Sequence, residues 1–200
     1  MIANEYHMGR KAGASILHSV RSAEVLGRPL NTFVTINFWQ LGSTAETIFR
    51  DFAELREAWF QRWSSYRPRK NATPRNGVPT YAYVHEATHD LPHTHWMVHI
   101  QPRNAALFAT RLEQVLKKTF SLPSIPEGAL HITAIENAEG LKLYMVKTLD
   151  PRFGRLWGIR TENGGRIAVR RADTSRNIGP SFWQPQKARY KDALRLKKAA

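Results

Sequence analysis

Two stretches of this chain, NTFVTINFW at residues 31–39 and HTHWMVHIQ at 93–101, have an alternation of period two. A helix cannot sort residues of that spacing onto two faces, whereas a strand must. In the first stretch Phe33, Thr35 and Asn37 share one face, and Val34, Ile36 and Phe38 share the other. In the second, His93 and His95 project together, opposite Trp96, Val98 and Ile100. The chain must therefore build a sheet with one polar and one apolar face at these strands.

Helical patterns separate the strands. Ser43 or Thr44 is expected to cap a helix reaching about Ser65, with Ile48, Phe52, Leu55, Trp59 and Trp63 inward at spacings of three and four. Residues 67–79 form a basic loop punctuated by Pro, Gly and Asn. A hairpin joins 80–86 to 93–101 through ATHDLP. Pro102 ends it and opens a helix over 105–120, with Leu107, Phe108, Leu112, Val115 and Leu116 inward. A strand at 130–135 and a helix at 139–149 follow. The expected fold class is α+β, a central and mostly antiparallel sheet covered by helices. Residues 1–30 read as a polar arm with a helix around Ala12–Leu26, 31–150 as the main domain, and 151–200 as a basic extension. That extension carries a hairpin signal at Asn163–Gly164 and a helical, basic tail over its last fifteen residues.

Charge points to the partner. Thirty Lys and Arg stand against 16 Asp and Glu, giving +14 and a pI near 10.5. From Asp150 onward there are 13 basic and 4 acidic residues, a net of +9, which leaves +5 for the rest. Such a field favours a polyanion, because each neutralised phosphate releases counterions. There is no cysteine, so disulfides, zinc ribbons and thiol chemistry are excluded, and any metal must be held by His, Asp or Glu. No stretch approaches the roughly 20 apolar residues that span a bilayer, and MIANEYHMGRKAG lacks the apolar run of a signal peptide. A soluble, cytoplasmic protein without membrane partners is expected.

Five of the eight histidines fall in VHEATHDLPHTHWMVHI. On one strand face His93 and His95 are roughly 6–7 Å apart, near enough for two imidazoles to share an ion, and His99 lies about 13 Å further along. If the hairpin pairs Glu86 with His93, the carboxylate joins that face. A slip of one residue presents His85 instead, and Glu86 is the preferred reading. Two imidazoles and a carboxylate suit Mn²⁺ or Mg²⁺ with positions open to substrate oxygens. Downstream, GLKLYMVKTLDP sets Leu141, Met145 and Leu149 on one helical stripe, with Tyr144 and Lys147 three apart on another side. A phenol with a pKa near 10 is a poor nucleophile until a neighbouring ammonium favours phenolate.

A TINF-type strand, a Pro-His-Thr-His strand and a Tyr-x-x-Lys helix, in that order from Phe33 to Lys147, resemble the HUH endonuclease superfamily. The tyrosine follows the histidines, as in the replication-initiator (Rep) branch and related transposases and unlike relaxases. A single tyrosine is similar to the single-tyrosine group. The resemblance implies a ferredoxin-like or RRM-like sandwich in which His93, His95 and Glu86 hold a divalent metal. Tyr144 would then be the nucleophile, assisted by Lys147, with Thr35 and Asn37 beside the site. It also implies a site-specific single-stranded DNA endonuclease and ligase with a 5′-phosphotyrosine intermediate. Such an enzyme serves rolling-circle replication of a plasmid or phage, or transposition, acting on single-stranded DNA or an origin hairpin with help from a host helicase. Thr94 departs from the bulky apolar residue usual between the histidines, so a loss of packing is expected there. Arg69, Lys70, Arg75, Arg170, Arg171 and Arg176 are the expected phosphate contacts, and Trp157 and Trp183 the expected stacking surfaces for bases. The alternatives are a nucleic-acid-binding protein that keeps the fold without catalysis, and a metal-dependent hydrolase that uses water.

Overall fold

The computed structural model describes residues 5–185 together with 188 and 189. The last residues, expected as a helical basic tail, lie almost entirely outside them. Five strands form one sheet in the order β4-β1-β3-β2-β5, and every adjacent pair is antiparallel. They are β1 (Thr32–Ile36), β2 (Tyr81–Glu86), β3 (His93–Val98), β4 (Leu130–Ala134) and β5 (Ala172–Thr174). The helices are α1 (Arg10–Val25), α2 (Ile48–Ala53), α3 (Gln61–Ser65), α4 (Ala105–Thr119), α5 (Ala138–Met145) and α6 (Pro151–Trp157). The α+β class and the antiparallel sheet covered by helices are as expected. None of the described helices is long and apolar enough to cross a membrane.

The period-two pattern divides the interior. Val34, Ile36, Phe38, Tyr83, Trp96 and Val98 point to one face and bury against Phe52 of α2, Leu55 and Phe60 of the segment that follows it, Trp63 of α3, and Phe108, Leu112 and Leu116 of α4. Ala82, Val84 and Met97 point the other way, onto Ile16, Val20 and Ala23 of α1 and Met145 of α5. At about 25 cal/mol per Å² of apolar surface, the aromatic first face is the larger source of stability.

Several boundaries move, each for a local reason. The helix expected from Ser43 or Thr44 begins at Ile48, because the Ser43 hydroxyl donates to Asp51 and Thr44 forms a turn closed by Thr47. Between α2 and α3 the chain takes a π-helical path over Glu54–Phe60. That wider turn shifts the inward stripe by one residue, so Phe60 follows Leu55 into the core and Trp59 is only partly buried. On α4, Leu107 is exposed instead of inward. Strand β3 stops at Val98 because the Asn31 side chain takes over both backbone groups of Ile100.

Residues 151–178 are woven into the sheet rather than appended to it. Strand β5 pairs with β2. Met8 bridges to Leu149 and Ala87 to Gly165, so the N-terminal arm and the segment after α6 clamp one end of the sheet. Gly165 has φ +72 and lies so close to the Ala87 carbonyl that a Cβ would sit 2.0 Å from its oxygen. No hairpin forms at Asn163–Gly164. The Asn163 side chain instead accepts from the Gly165 amide, turning the chain toward Ala87.

Candidate metal and tyrosine site

Register decides which side chains meet. Glu86 pairs directly with His93, and His95 pairs with Thr35 on β1, so all four project from the second face of the sheet. His85 points to the opposite face, where its Nδ1 bonds the Thr94 hydroxyl at 2.8 Å. Thr94 is therefore a buried partner of His85 and not a packing defect. Glu86, not His85, joins the two histidines.

One ligand atom from each of Glu86, His93 and His95 lies within 4.8 Å of the others. The group can hold a metal ion. Hydrogen bonds orient both rings: His93 Nδ1 donates to the Leu91 carbonyl at 2.9 Å, and His95 Nδ1 meets Thr35 Oγ1 at 3.2 Å. Each ring thus turns Nε2 inward, with Nδ1 engaged outside, as second-shell partners of metal ligands do. Glu86 is 1% exposed, yet neither carboxylate oxygen has a hydrogen bond of good geometry. A buried carboxylate that faces the two imidazoles, its charge met by Lys147 at 3.0 Å and by His93 at 3.4 Å, forms with them a donor set that fits a divalent cation.

Electrostatics prepare the same group. Burial lowers the His95 pKa to about 3, against the carboxylate of Glu86, so the ring is neutral and its lone pair available. Burial disfavours the charged form of Glu86. The contact with His93 and the charge and close approach of Lys147 outweigh burial and hold the carboxyl below its usual range. Lys147 Nζ lies 3.0 Å from Glu86 Oε2.

The tyrosine arrives from the sequence-distant α5. Asn137 caps this helix by accepting from the Gly140 amide. The helix ends at Met145, earlier than the expected Leu149, because the Thr148 carbonyl and the Leu149 backbone pair with Met8. Lys147 therefore lies in a tight turn after the helix, its amide donating to the Tyr144 carbonyl. The pair still meets. Tyr144 Oη is 3.1 Å from His95 Nε2, and Lys147 Nζ sits 3.9 Å above the Tyr144 ring. Desolvation opposes the Lys147 charge, but Tyr144 and Glu86 more than offset it and raise its pKa. With the side chain 42% exposed, Tyr144 faces both solvent and the paired imidazoles.

The other expected residues are spread widely. Arg171 is 6% exposed and donates to the carbonyls of Glu5, His85, Gly164 and Gly165, so it is a strut behind the site and not a phosphate contact. Its role was invisible in sequence, since an arginine beside an exposed arginine carries no sign of burial. Arg170 is exposed and paired with Asp173. Asn37 has left β1 and donates to the Gly128 carbonyl. Arg69, Lys70 and Arg75 belong to the loop before β2, whose Asn76 bonds the His99 carbonyl, six residues or roughly 20 Å along β3 from His93. Arg176 lies near that same end, beside Tyr81 and Pro79. Trp157 is half-buried on α6 against α1, and Trp183 stacks on His18 of α1 at 4.2 Å. No family model, curated protein or solved structure matches the chain.

Proposed function

We propose that the protein is a metal-dependent, single-strand-specific DNA-nicking and rejoining enzyme of the HUH type, in its single-tyrosine Rep branch. The observation that carries this reading is the 3.1 Å contact between Tyr144 Oη and His95 Nε2, which sets a phenol on a two-imidazole, one-carboxylate group. The +14 charge of the chain supports a polyanionic substrate.

Glu86, His93 and His95 hold the cation, Mn²⁺ or Mg²⁺. Bound there, it supplies Lewis-acid polarisation of a phosphate oxygen. Lys147, above the ring of Tyr144, stabilises the phenolate after the phenol proton leaves to solvent. The Tyr144 oxygen forms a bond to phosphorus while the bond to the 3′ oxygen breaks, and that oxygen leaves as a hydroxyl after taking up a proton. The product is a 5′-phosphotyrosine, and reversal by a 3′-hydroxyl rejoins the strand. Thr35 and Leu91 keep the two imidazoles in register throughout. Such an activity serves initiation of rolling-circle replication of a plasmid or phage, or transposition, with a host helicase to unwind the duplex.

The test is incubation with labelled single-stranded DNA bearing a hairpin and Mn²⁺, followed by a denaturing gel. A protein–DNA adduct is expected, lost in Tyr144→Phe and weakened by His93→Ala or by chelation. Cleavage that survives Tyr144→Phe makes the protein a water-using hydrolase, and a gel shift without any covalent product makes it a binding protein.

A further inference from the structure

A groove of about 840 Å³ runs between α3 and α4 on the other face of the sheet from Tyr144. Its floor is aromatic: Trp59 and Trp63 pack on Phe108 of the first core. At its rim Tyr66 is half exposed, with the Arg75 guanidinium 4.5 Å above its ring and 5.7 Å from that of Trp63. Arg62, Arg75, Arg111 and Lys118 line the groove, against one acid, Glu54.

What separates these cations from an ordinary solvated helix face is that they converge on one concavity lined by aromatic rings. On the same helix Lys117 reaches Glu113 one turn back at 3.4 Å. Arg111 instead bonds the neutral Gln114. Among the described residues none of the four groove cations has a carboxylate within salt-bridge distance. Four unpaired cations around one concavity repel each other, and a polyanion lying in it relieves that repulsion. The aromatic floor and the guanidinium–phenol stack select among polyanions. Bases of a single strand can stack on the exposed Tyr66, the partly exposed Trp59 and the Arg75 guanidinium while their phosphates meet the rim, which a duplex or an acidic peptide cannot reproduce.

We infer that this groove is a second binding site, for single-stranded DNA, on the face of the sheet opposite the tyrosine. The inference rests on the nucleic-acid reading above but not on the nucleophile. It accounts for the place of Arg75, which that reading left away from the chemistry. A strand held by both sites must wrap an edge of the sheet, so the groove grips the segment flanking the one presented to Tyr144.

Fluorescence polarisation of labelled oligothymidylate tests this in chelator, where no covalent step intrudes. The double variant Arg62→Glu/Arg111→Glu is expected to bind at least ~10-fold more weakly, with a salt dependence shallower by about 1.4, the value for two single-strand phosphate contacts. Arg21→Glu/Arg155→Glu carries the same charge change on exposed residues outside the groove and is expected to stay close to wild type. Tyr66→Ala, which keeps every charge, is expected to lose a stacking contribution, a several-fold weakening. Equal losses in the two double variants reduce the groove to the general field of the protein and overturn the inference. So does unchanged affinity in both Arg62→Glu/Arg111→Glu and Tyr66→Ala, or competition by polyglutamate as strong as by DNA. Absence of an adduct at Tyr144 leaves this measurement intact and overturns only the catalytic reading.

Discussion

The two faces of the sheet are built from the same strands and do opposite things. On the first, Trp96, Phe52, Phe60 and Phe108 are fully buried and interlock edge to face, with the buried Tyr83 tilted against Phe52. On the second, α1 packs through Ile16, Val20 and Ala23 with the small Ser15, Ser19 and Ser22 between them, and no comparable aromatic cluster forms. The same face holds Glu86, His93 and His95, met by Tyr144 from α5. A buried carboxylate and the neutral His95 imidazole are tolerable there only because the other face carries the apolar burial that folds the chain. Stability and chemistry are thus divided across a single β-layer.

That division can be broken by substitution, and the largest effect should be chemical. Tyr144→Phe is expected to lower adduct formation at least ~10³-fold, the scale of removing a nucleophile from a unit that acts together. Its unfolding free energy should change by less than about 1 kcal/mol, because the residue is half exposed. Urea titration and single-turnover assays on the same preparation check both. Trp96→Ala should show the reverse, losing ~3–5 kcal/mol of stability while the folded fraction keeps its affinity for Mn²⁺. A loss of metal affinity as large as the loss of stability would show the two faces to be one unit.

Acid sharpens the comparison. His85, buried behind the site, has its pKa lowered to about 3 by desolvation and by the charges of Arg56 and Arg171. The unfolded chain takes up a proton near pH 6.5 that the folded chain refuses. Its stabilisation is therefore complete above pH 6.5 and is lost as pH falls toward about 3. His95 is lowered in the same way, so chemical denaturation at pH 7 and at about pH 5 should show a clear decline, with a slope approaching about 1.4 kcal/mol per pH unit for each of the two histidines. Equal stabilities would contradict burial of a neutral His85. The smallest expected effect belongs to Thr35→Val, which removes the partner of His95 Nδ1 and should weaken Mn²⁺ binding about 10-fold in calorimetry without changing stoichiometry.

Much of this was legible in the sequence where a periodicity or a register carried it. Alternation placed β1 and β3, while pairing Glu86 with His93 was the preferred of two registers the hairpin allowed; the structure has both strands and that pairing. What stayed hidden depended on contacts between distant segments. The end of α5 is set by Met8, well over a hundred residues away, and no local signal foretells it. The π-turn that exchanges Trp59 for Phe60 leaves no trace in the three-and-four spacing. Arg171 reads as one more surface cation until the carbonyls of residues 5, 85, 164 and 165 are gathered around it. Composition likewise counted Arg62, Arg111 and Lys118 as scattered charge, and only the packing of α3 against α4 lines them along one groove.

The most direct measurement is to digest the protein after reaction with single-stranded DNA and Mn²⁺ and to locate the nucleotide-bearing peptide by mass spectrometry. A nucleotide on Tyr144, in the peptide spanning residues 143–147, is the predicted result. Cleaved DNA with no modified peptide, or a nucleotide attached to any other side chain, would contradict a nucleophilic tyrosine on the histidine face.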